Sequence, residues 1–302
     1  MQIAEAIRTS RTIPEWRRRK RRRELISRVV AYTFTSLLAL LFAAPFLWLV
    51  SMSLQTAQQL STYPPSWIPR PVQWSNYVKA MTNPWRPFHI FFRNSFIYTG
   101  LGTLGVTLSS AFVAFGFSRV TWKGRDAFFV LVLATMMLPG EVTMIPQYII
   151  FKYLRWLDSL KPLIVPMWLG SAFDIFLLRQ FFLTIPRELD EAAIIDGCDY
   201  FSILWRVIMP LSKPAVVTVV AFAIVGTWNN FMGPLIYVTT KEKMPVALGL
   251  RIFQAMSGDT GAMIEYGQIM AAAVATLIPM LILFIAAQRY FVTGIAMTGL
   301  KG

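Results

Sequence analysis

Cysteine and histidine are nearly missing: Cys198 and His89 are the only ones among 302 residues. A single cysteine excludes an intramolecular disulfide, and one histidine with one cysteine excludes the usual metal-ligand spacings. No Gly-x4-Gly-Lys-Ser/Thr run occurs, so the chain is not expected to hold nucleotide phosphates itself. With one histidine, one cysteine and scattered acids, no catalytic constellation assembles, which argues against an enzyme embedded in the membrane. Charge is scarce too, at 15% of residues, and acid is scarcer than base: 15 Asp and Glu against 29 Lys and Arg leave a formal net charge of +14. No internal repeat is evident and few ionisable residues fall inside apolar runs, which argues against a secondary transporter driven by an ion gradient.

What fills the chain is apolar. Hydrophobic residues make up 56% of it, and a mean hydropathy of +0.53 exceeds what a soluble core of this size needs. Uncharged or nearly uncharged stretches cover 29–54, 94–118, 127–151, 162–178, 214–240 and 266–288. A helix crosses the hydrocarbon core in about 20 residues, so the expectation is an all-α membrane protein with six transmembrane helices. The third stretch contains Glu141, and the short fourth contains Asp174.

Basic residues set the orientation. Arg17, Arg18, Arg19, Lys20, Arg21, Arg22 and Arg23 stand immediately before the first span, too dense a cluster to translocate easily, so the N-terminus is expected inside. Six spans then return the C-terminus to the same side, together with Arg119, Lys123, Arg125 and the loop around Glu191. In front of an apolar span, the basic run reads as a topology determinant that also touches anionic lipid, and no nucleic-acid partner is expected. A cleaved signal peptide is not expected either, because the first apolar run is longer than an h-region of roughly 7 to 15 residues.

Polar groups inside spans mark candidate pathway or packing positions. Trp228, Asn229 and Asn230 lie in the fifth expected span and offer a ring face and amide hydrogen bonds, suited to a sugar or equally to a neighbouring helix. Glu141 sits between Pro139 and Pro146 beside Gly140, where a hinge is expected. Asp174 is expected to pair with Arg179 or to lie near the cytoplasmic interface. Ser109, Ser110, Gly100 and Gly102 are expected to mark close helix packing. Between the first two spans, Trp67, Trp74, Tyr77, Trp85 and Phe88 are expected to form an interfacial collar, with contact to an extracytoplasmic protein as the other reading.

From Pro186 to Pro210 runs an acidic, helix-forming stretch. Pro186 suits a first helical turn, Glu191, Ala192 and Ala193 favour helix, Gly197 can leave it with positive φ, and Asp199 can cap a second short helix. Small Ala192, Ala193 and Gly197 let another protein surface approach the backbone. The spacing from Glu191-Ala192-Ala193 through Gly197 to Pro210 resembles the cytoplasmic EAA loop of binding-protein-dependent ABC importer permeases. That family prefers Ile and Leu where this chain has Val207 and Met209, and Ala where it has Cys198. Each change keeps an apolar or small side chain.

Residues 271–279, 287–294 and 298–302 resemble the last span and tail of the second, maltose-type permease subunit of carbohydrate importers, and Asn76-Tyr77 resembles a pair found in sugar-importer permeases. The resemblance covers roughly residues 70–302 and implies the type I importer permease fold with a cytoplasmic coupling helix. It divides the chain into a basic segment 1–28, a first span and loop 29–93, a type-1 transmembrane domain 94–290 and a tail 291–302. It further implies a second homologous permease, two ATPase subunits that bind ATP and Mg, and an extracytoplasmic solute-binding protein. The substrate would be a sugar or oligosaccharide, with glycerol-phosphate or another polar solute as the alternative. The coupling residues would be Glu191, Ala192, Ala193, Gly197 and Pro210. A flexible tail with Thr298, Gly299, Lys301 and Gly302 would reach the ATPases, or else end disordered after the last helix.

Overall fold

The computed structural model describes residues 15–83, 87–258 and 263–299. Among the described residues every regular element is helical. The first helix, α1 (Glu15–Ser53), runs from the basic cluster into the apolar stretch without a break. Residues 1–14 of the expected N-terminal segment and Trp85 of the expected collar lie outside the described residues.

Two short helices follow, α2 (Ala57–Leu60) and α3 (Ser75–Thr82). Thr56 and Gln59 close α2 with a reciprocal capping box. The Asn76-Tyr77 pair ties α3 to the end of α1. Asn76 Nδ2 donates to the carbonyls of Ser53 and Gln55 at 2.9 Å, and the Tyr77 and Ser53 hydroxyls lie 2.8 Å apart. Trp67 and Trp74 are exposed as a collar requires. Phe88 is not, because it is fully buried against Phe91, Phe92 and Phe253.

The central post is α4 (Phe88–Ser118), which packs against the later spans on several sides. It is followed by α5 (Arg125–Thr135) and α6 (Gly140–Tyr153), which meet at 95°. Pro139 in extended conformation breaks the third expected span there, as the Pro-Gly-Glu sequence foretold. The fourth span is composite: α7 (Lys161–Ile164), a 3-10 turn over Val165–Leu169, a positive-φ Gly170, then α8 (Ala172–Leu183). Gly102 packs on Met167 and Ser110 Oγ accepts the Ser171 amide at 3.1 Å, so this face of α4 is a close-packing seam. Gly100 is not part of it, since nothing lies within 4 Å of where its Cβ would be.

The loop helices α9 (Glu188–Ile195), α10 (Tyr200–Ile203) and α11 (Met209–Leu211) come next, with a π-helical turn over Leu204–Ile208. The segment Tyr200–Leu211 then turns by 84° into α12 (Lys213–Trp228). The fifth expected span therefore ends at Trp228. Asn229 is its C-cap, and the rest is the short α13 (Met232–Tyr237). Last come α14 (Val246–Gly258) and α15 (Met263–Gly299). Four segments are long and apolar enough to cross a membrane, and the two bent pairs raise the number to six if each is one span.

Two buried clusters hold the bundle. One gathers Phe88, Phe91, Tyr98, Trp228 and Phe253, and the other gathers Phe115, Leu178, Phe182, Ile203 and Ile208. The first marks the end of the bundle near Asp158, the second the end near Arg119. Outside them apolar surface is left bare, with Leu40, Leu41 and Phe42 of α1 more than 60% exposed, as lipid contact requires.

Candidate coupling surface and translocation groove

The loop from Pro186 to Pro210 folds as helix, tight turn, helix. Its first helix starts two residues later than Pro186 would suggest: Glu188 is the first helical residue, Arg187 is the N-cap, and Pro186 precedes it. At the other end Gly197 takes φ +82°, its amide donates to the Ile194 carbonyl at 2.9 Å, and the Cys198 amide reaches the Ala193 carbonyl at 2.8 Å. That pair of bonds is a Schellman motif, which satisfies carbonyls left open at the helix end. Asp199 then caps α10, its carboxylate accepting the Ser202 amide at 3.0 Å. The hydrogen bond from Ser202 holds the Asp199 carboxyl below its ordinary pKa.

Ala193 is buried in the second core, whereas Glu191, Ala192, Gly197 and Pro210 are exposed. No atom lies within 4 Å of the position a Gly197 Cβ would take. Around this bare backbone stand Ile194, Ile195, Tyr200 and Phe201, with Ile195 85% exposed. Sequence reasoning missed this apolar patch, although the signal was available in apolar residues flanking the glycine of an acidic loop. Contiguous exposed apolar side chains mark a surface that another protein or a membrane covers.

What positions α9 is Arg119, at the end of α4. Its guanidinium donates to Asp190 Oδ2 at 2.9 Å, to the Ile185 carbonyl at 2.8 Å and to the Phe182 carbonyl. Its side chain is 3% exposed and that of Asp190 16%. A cavity of about 200 Å³ opens beside the pair, with Glu191, Ile194 and Tyr200 among its lining. Arg179, expected to pair with Asp174, goes elsewhere: Nε donates to the Phe117 carbonyl at 3.2 Å and the guanidinium lies 4.0 Å from the centroid of the Phe129 ring. Asp174 is left buried in the first turn of α8, where Ser171 Oγ accepts its amide at 3.4 Å, well away from the Arg119 end. The expected pairing of Asp174 with Arg179 is thus corrected.

A larger groove of about 710 Å³ lies between α4, α12 and α15. Thr99, Thr103 and Thr107, one turn apart on α4, line it with Gly100 and Trp228. The three threonine hydroxyls are buried without a hydrogen-bond partner among the described residues. The three residues expected together separate in role. Trp228 is 2% exposed and donates from Nε1 to the Thr276 carbonyl at 3.2 Å. Asn230 donates to the Tyr98 hydroxyl at 2.9 Å and accepts the Gly233 amide at 3.1 Å, thereby ending the span. Asn229 is exposed and bonds only back to the Val225 carbonyl, at 2.9 Å.

At the opposite end of the bundle, Asp158 clamps two loops. Its carboxylate accepts the amides of Thr239 and Thr240, the Thr240 hydroxyl at 2.7 Å and Lys243 Nζ at 2.7 Å. Lys243 and the Thr240 donors hold its pKa far below the usual carboxylate range. At the far end of the chain, α15 runs unbroken to Gly299, so Thr298 and Gly299 are helical. Lys301 and Gly302 lie outside the described residues.

With this geometry in view, the likeness to known proteins is specific. Residues 105–297 match the family described as binding-protein-dependent transport system inner membrane component. The chain is 33% identical to the probable ABC transporter permease protein YurM of Bacillus subtilis, over 93% of this chain and 91% of that one. It is 32% identical to the arabinooligosaccharides transport system permease protein AraQ of the same organism, over 92% and 97%. The sn-glycerol-3-phosphate transport system permease protein UgpE of Yersinia pestis is also 32% identical, over 82% of this chain and 87% of that one. The fold superposes with a TM-score of 0.78 on a chain of a bacterial ABC transporter that imports the acidic polysaccharide alginate. That match covers 89% of this chain and 98% of the other at 24% identity.

Proposed function

Because the chain belongs to the family of binding-protein-dependent transport system inner membrane components, and is a non-catalytic permease subunit, we propose that it forms half of the translocation pathway of an ATP-driven importer for a sugar or oligosaccharide. Its other half is a second, homologous permease. Two ATPase subunits bind ATP and Mg and dock on the loop from Glu191 to Pro210. A solute-binding protein delivers substrate from outside. Both termini face the cytoplasm, on the side of the basic run before α1.

The observation that carries this reading is the exposed apolar patch of Ile194, Ile195, Tyr200 and Phe201 around the open Gly197. Glu141 supports the second permease: it is exposed on the isolated chain, within a bent span. A carboxylate at that depth faces protein or water and not lipid. Movement of the ATPases would push α9, and the buried Arg119–Asp190 pair would pass the push to the end of α4.

Relatives that carry arabinooligosaccharides support the sugar assignment, and the glycerol-phosphate relative supports the second reading, another polar solute. Replacing Ile195→Asp places a charge in the patch without touching the core. The expected result is membrane insertion at the normal level with loss of ATPase co-purification. Retention of the ATPases at the unmutated level would overturn the docking role.

A further inference from the structure

At the Asp158 end of the bundle, the start of α4, the loop 154–160 and the segment 239–243 enclose a slot of about 430 Å³. Its rim carries Arg93, Lys161, Lys243 and Glu242, and its shaft includes Ile97 and Val165. Lys243 is engaged by Asp158, but the side chains of Arg93 and Lys161 have no hydrogen bond or ion pair among the described residues. Even with Asp158 counted beside Glu242, three cations against two carboxylates leave the rim net positive.

The two unpaired cations repeat one arrangement. Arg93 and Ile97 are four residues apart on α4, and Lys161 and Val165 are four apart at the start of the neighbouring span. Residues four apart in helical backbone share a face, so each cation stands one turn outward of an aliphatic side chain. Ile97 is 41% and Val165 39% exposed, so the shaft opens on the apolar perimeter. In the orientation proposed above this end lies outside, where basic residues near spans are depleted. Both cations are exposed there, open to an anionic headgroup.

We propose that this slot binds an anionic phospholipid, its phosphodiester between Arg93 and Lys161 and an acyl chain along Ile97 and Val165. The lipid bridges the outer ends of α4 and the fourth span, where the Asp158 clamp already ties the loops together. Charge selects the headgroup and the aliphatic shaft selects a lipid over a free anion. Only the assignment to the outer leaflet rests on the orientation.

The test uses the complex extracted with its partners, relipidated with phosphatidylglycerol or with phosphatidylcholine of the same chain length. Lipid retention is read by native mass spectrometry and stability by thermal unfolding. Phosphatidylglycerol is expected to be retained and to raise the melting temperature more than phosphatidylcholine. The Arg93→Gln/Lys161→Gln variant is expected to lose affinity by roughly fivefold per charge removed. A Lys123→Gln/Lys213→Gln variant, at the other end, is expected to behave as the unmutated complex. Ile97→Trp fills the shaft with the charges intact, and it is expected to lose the lipid as well.

Equal retention of both lipids, or full retention by the charge and shaft variants, would overturn the proposal. So would stabilisation by free sn-glycerol 3-phosphate equal to that by phosphatidylglycerol, which would make this a free-anion site. Loss of the second permease from the variants with lipid content unchanged would instead make the slot a protein interface. Labelling Lys241→Cys in a Cys198→Ser background with an impermeant maleimide reports the orientation separately. A failure there moves the site to the other leaflet and leaves lipid binding to stand or fall by itself.

Discussion

Arg119 and Asp190, 71 residues apart in the chain, meet at 2.9 Å in a site from which solvent is nearly excluded. The pair joins the end of α4 to the helix that carries Glu191, and the same guanidinium satisfies the carbonyls of Phe182 and Ile185. Replacing Arg119→Gln leaves Asp190 and those carbonyls short of partners. Removing one member of such a buried pair costs about 3 to 5 kcal/mol. The variant is expected to melt earlier and to hydrolyse ATP without matching uptake. The double change Arg119→Met/Asp190→Leu, which removes both charges, is expected to recover stability but not uptake. A double variant that transports normally would show that the pair does not transmit the push.

Gly197 separates two costs that are usually mixed. Its φ of +82° disfavours any side chain, but the space above it is empty. Gly197→Asn, a residue that tolerates this backbone, is expected to insert and fold while weakening ATPase co-purification through bulk alone. Gly197→Asp adds charge, and it is expected to abolish coupling. Normal co-purification and uptake in both variants would exclude close approach at this turn.

Deleting residues 298–302 is expected to lower ATP hydrolysis or uptake while the membrane spans stay folded. Of the deleted residues, Thr298 and Gly299 are helical, so the truncation takes away the end of α15. Full ATPase and uptake rates in the truncated complex would leave the tail without a coupling role.

Asn229 and Asn230 should now respond differently. Asn230→Ala breaks the bond to Tyr98 and leaves the Gly233 amide unmatched, for an expected loss of about 1 to 3 kcal/mol in stability. Asn229→Ala removes only an exposed bond back to its own helix, so its expected effect is on the solute dependence of uptake. Uptake curves and thermal melts on both variants decide the matter. An Asn229→Ala variant with an unchanged uptake curve would remove this position from the solute path.

Asp158 sets a pH dependence. Its pKa is lowered in the folded state, so its stabilisation is complete above the ordinary carboxylate value and disappears as pH falls through the lowered one. Between about pH 5.5 and 8 the clamp should therefore be constant. Asp158→Asn is expected to lower the melting temperature by the same amount across that interval. A difference that shrinks towards the acid end of it would place the stabilising charge elsewhere.

Local chemistry was legible where neighbouring residues complete it. The Schellman turn at Gly197, the Asp199 cap and the break at Pro139 are each decided within a few positions, and each was foreseen. Partners far apart in sequence were not. Asn230 looked like a mid-span residue because its partner, Tyr98, is 132 residues away. Asp174 and Arg179 are five apart, a spacing that puts them on different faces of a helix, and the expected pair was therefore poor from the start. Arg119 carried no local sign of its role, since one arginine after an apolar run is an ordinary topology marker.

The 95° break between α5 and α6 also bears on the life of the chain before assembly. A freshly inserted copy displays Glu141 beside Met137 and Ile145, both more than 70% exposed, on a span that lipid alone cannot solvate well. On the reading proposed above, the second permease covers this segment, and assembly hides a surface that the lone chain leaves bare.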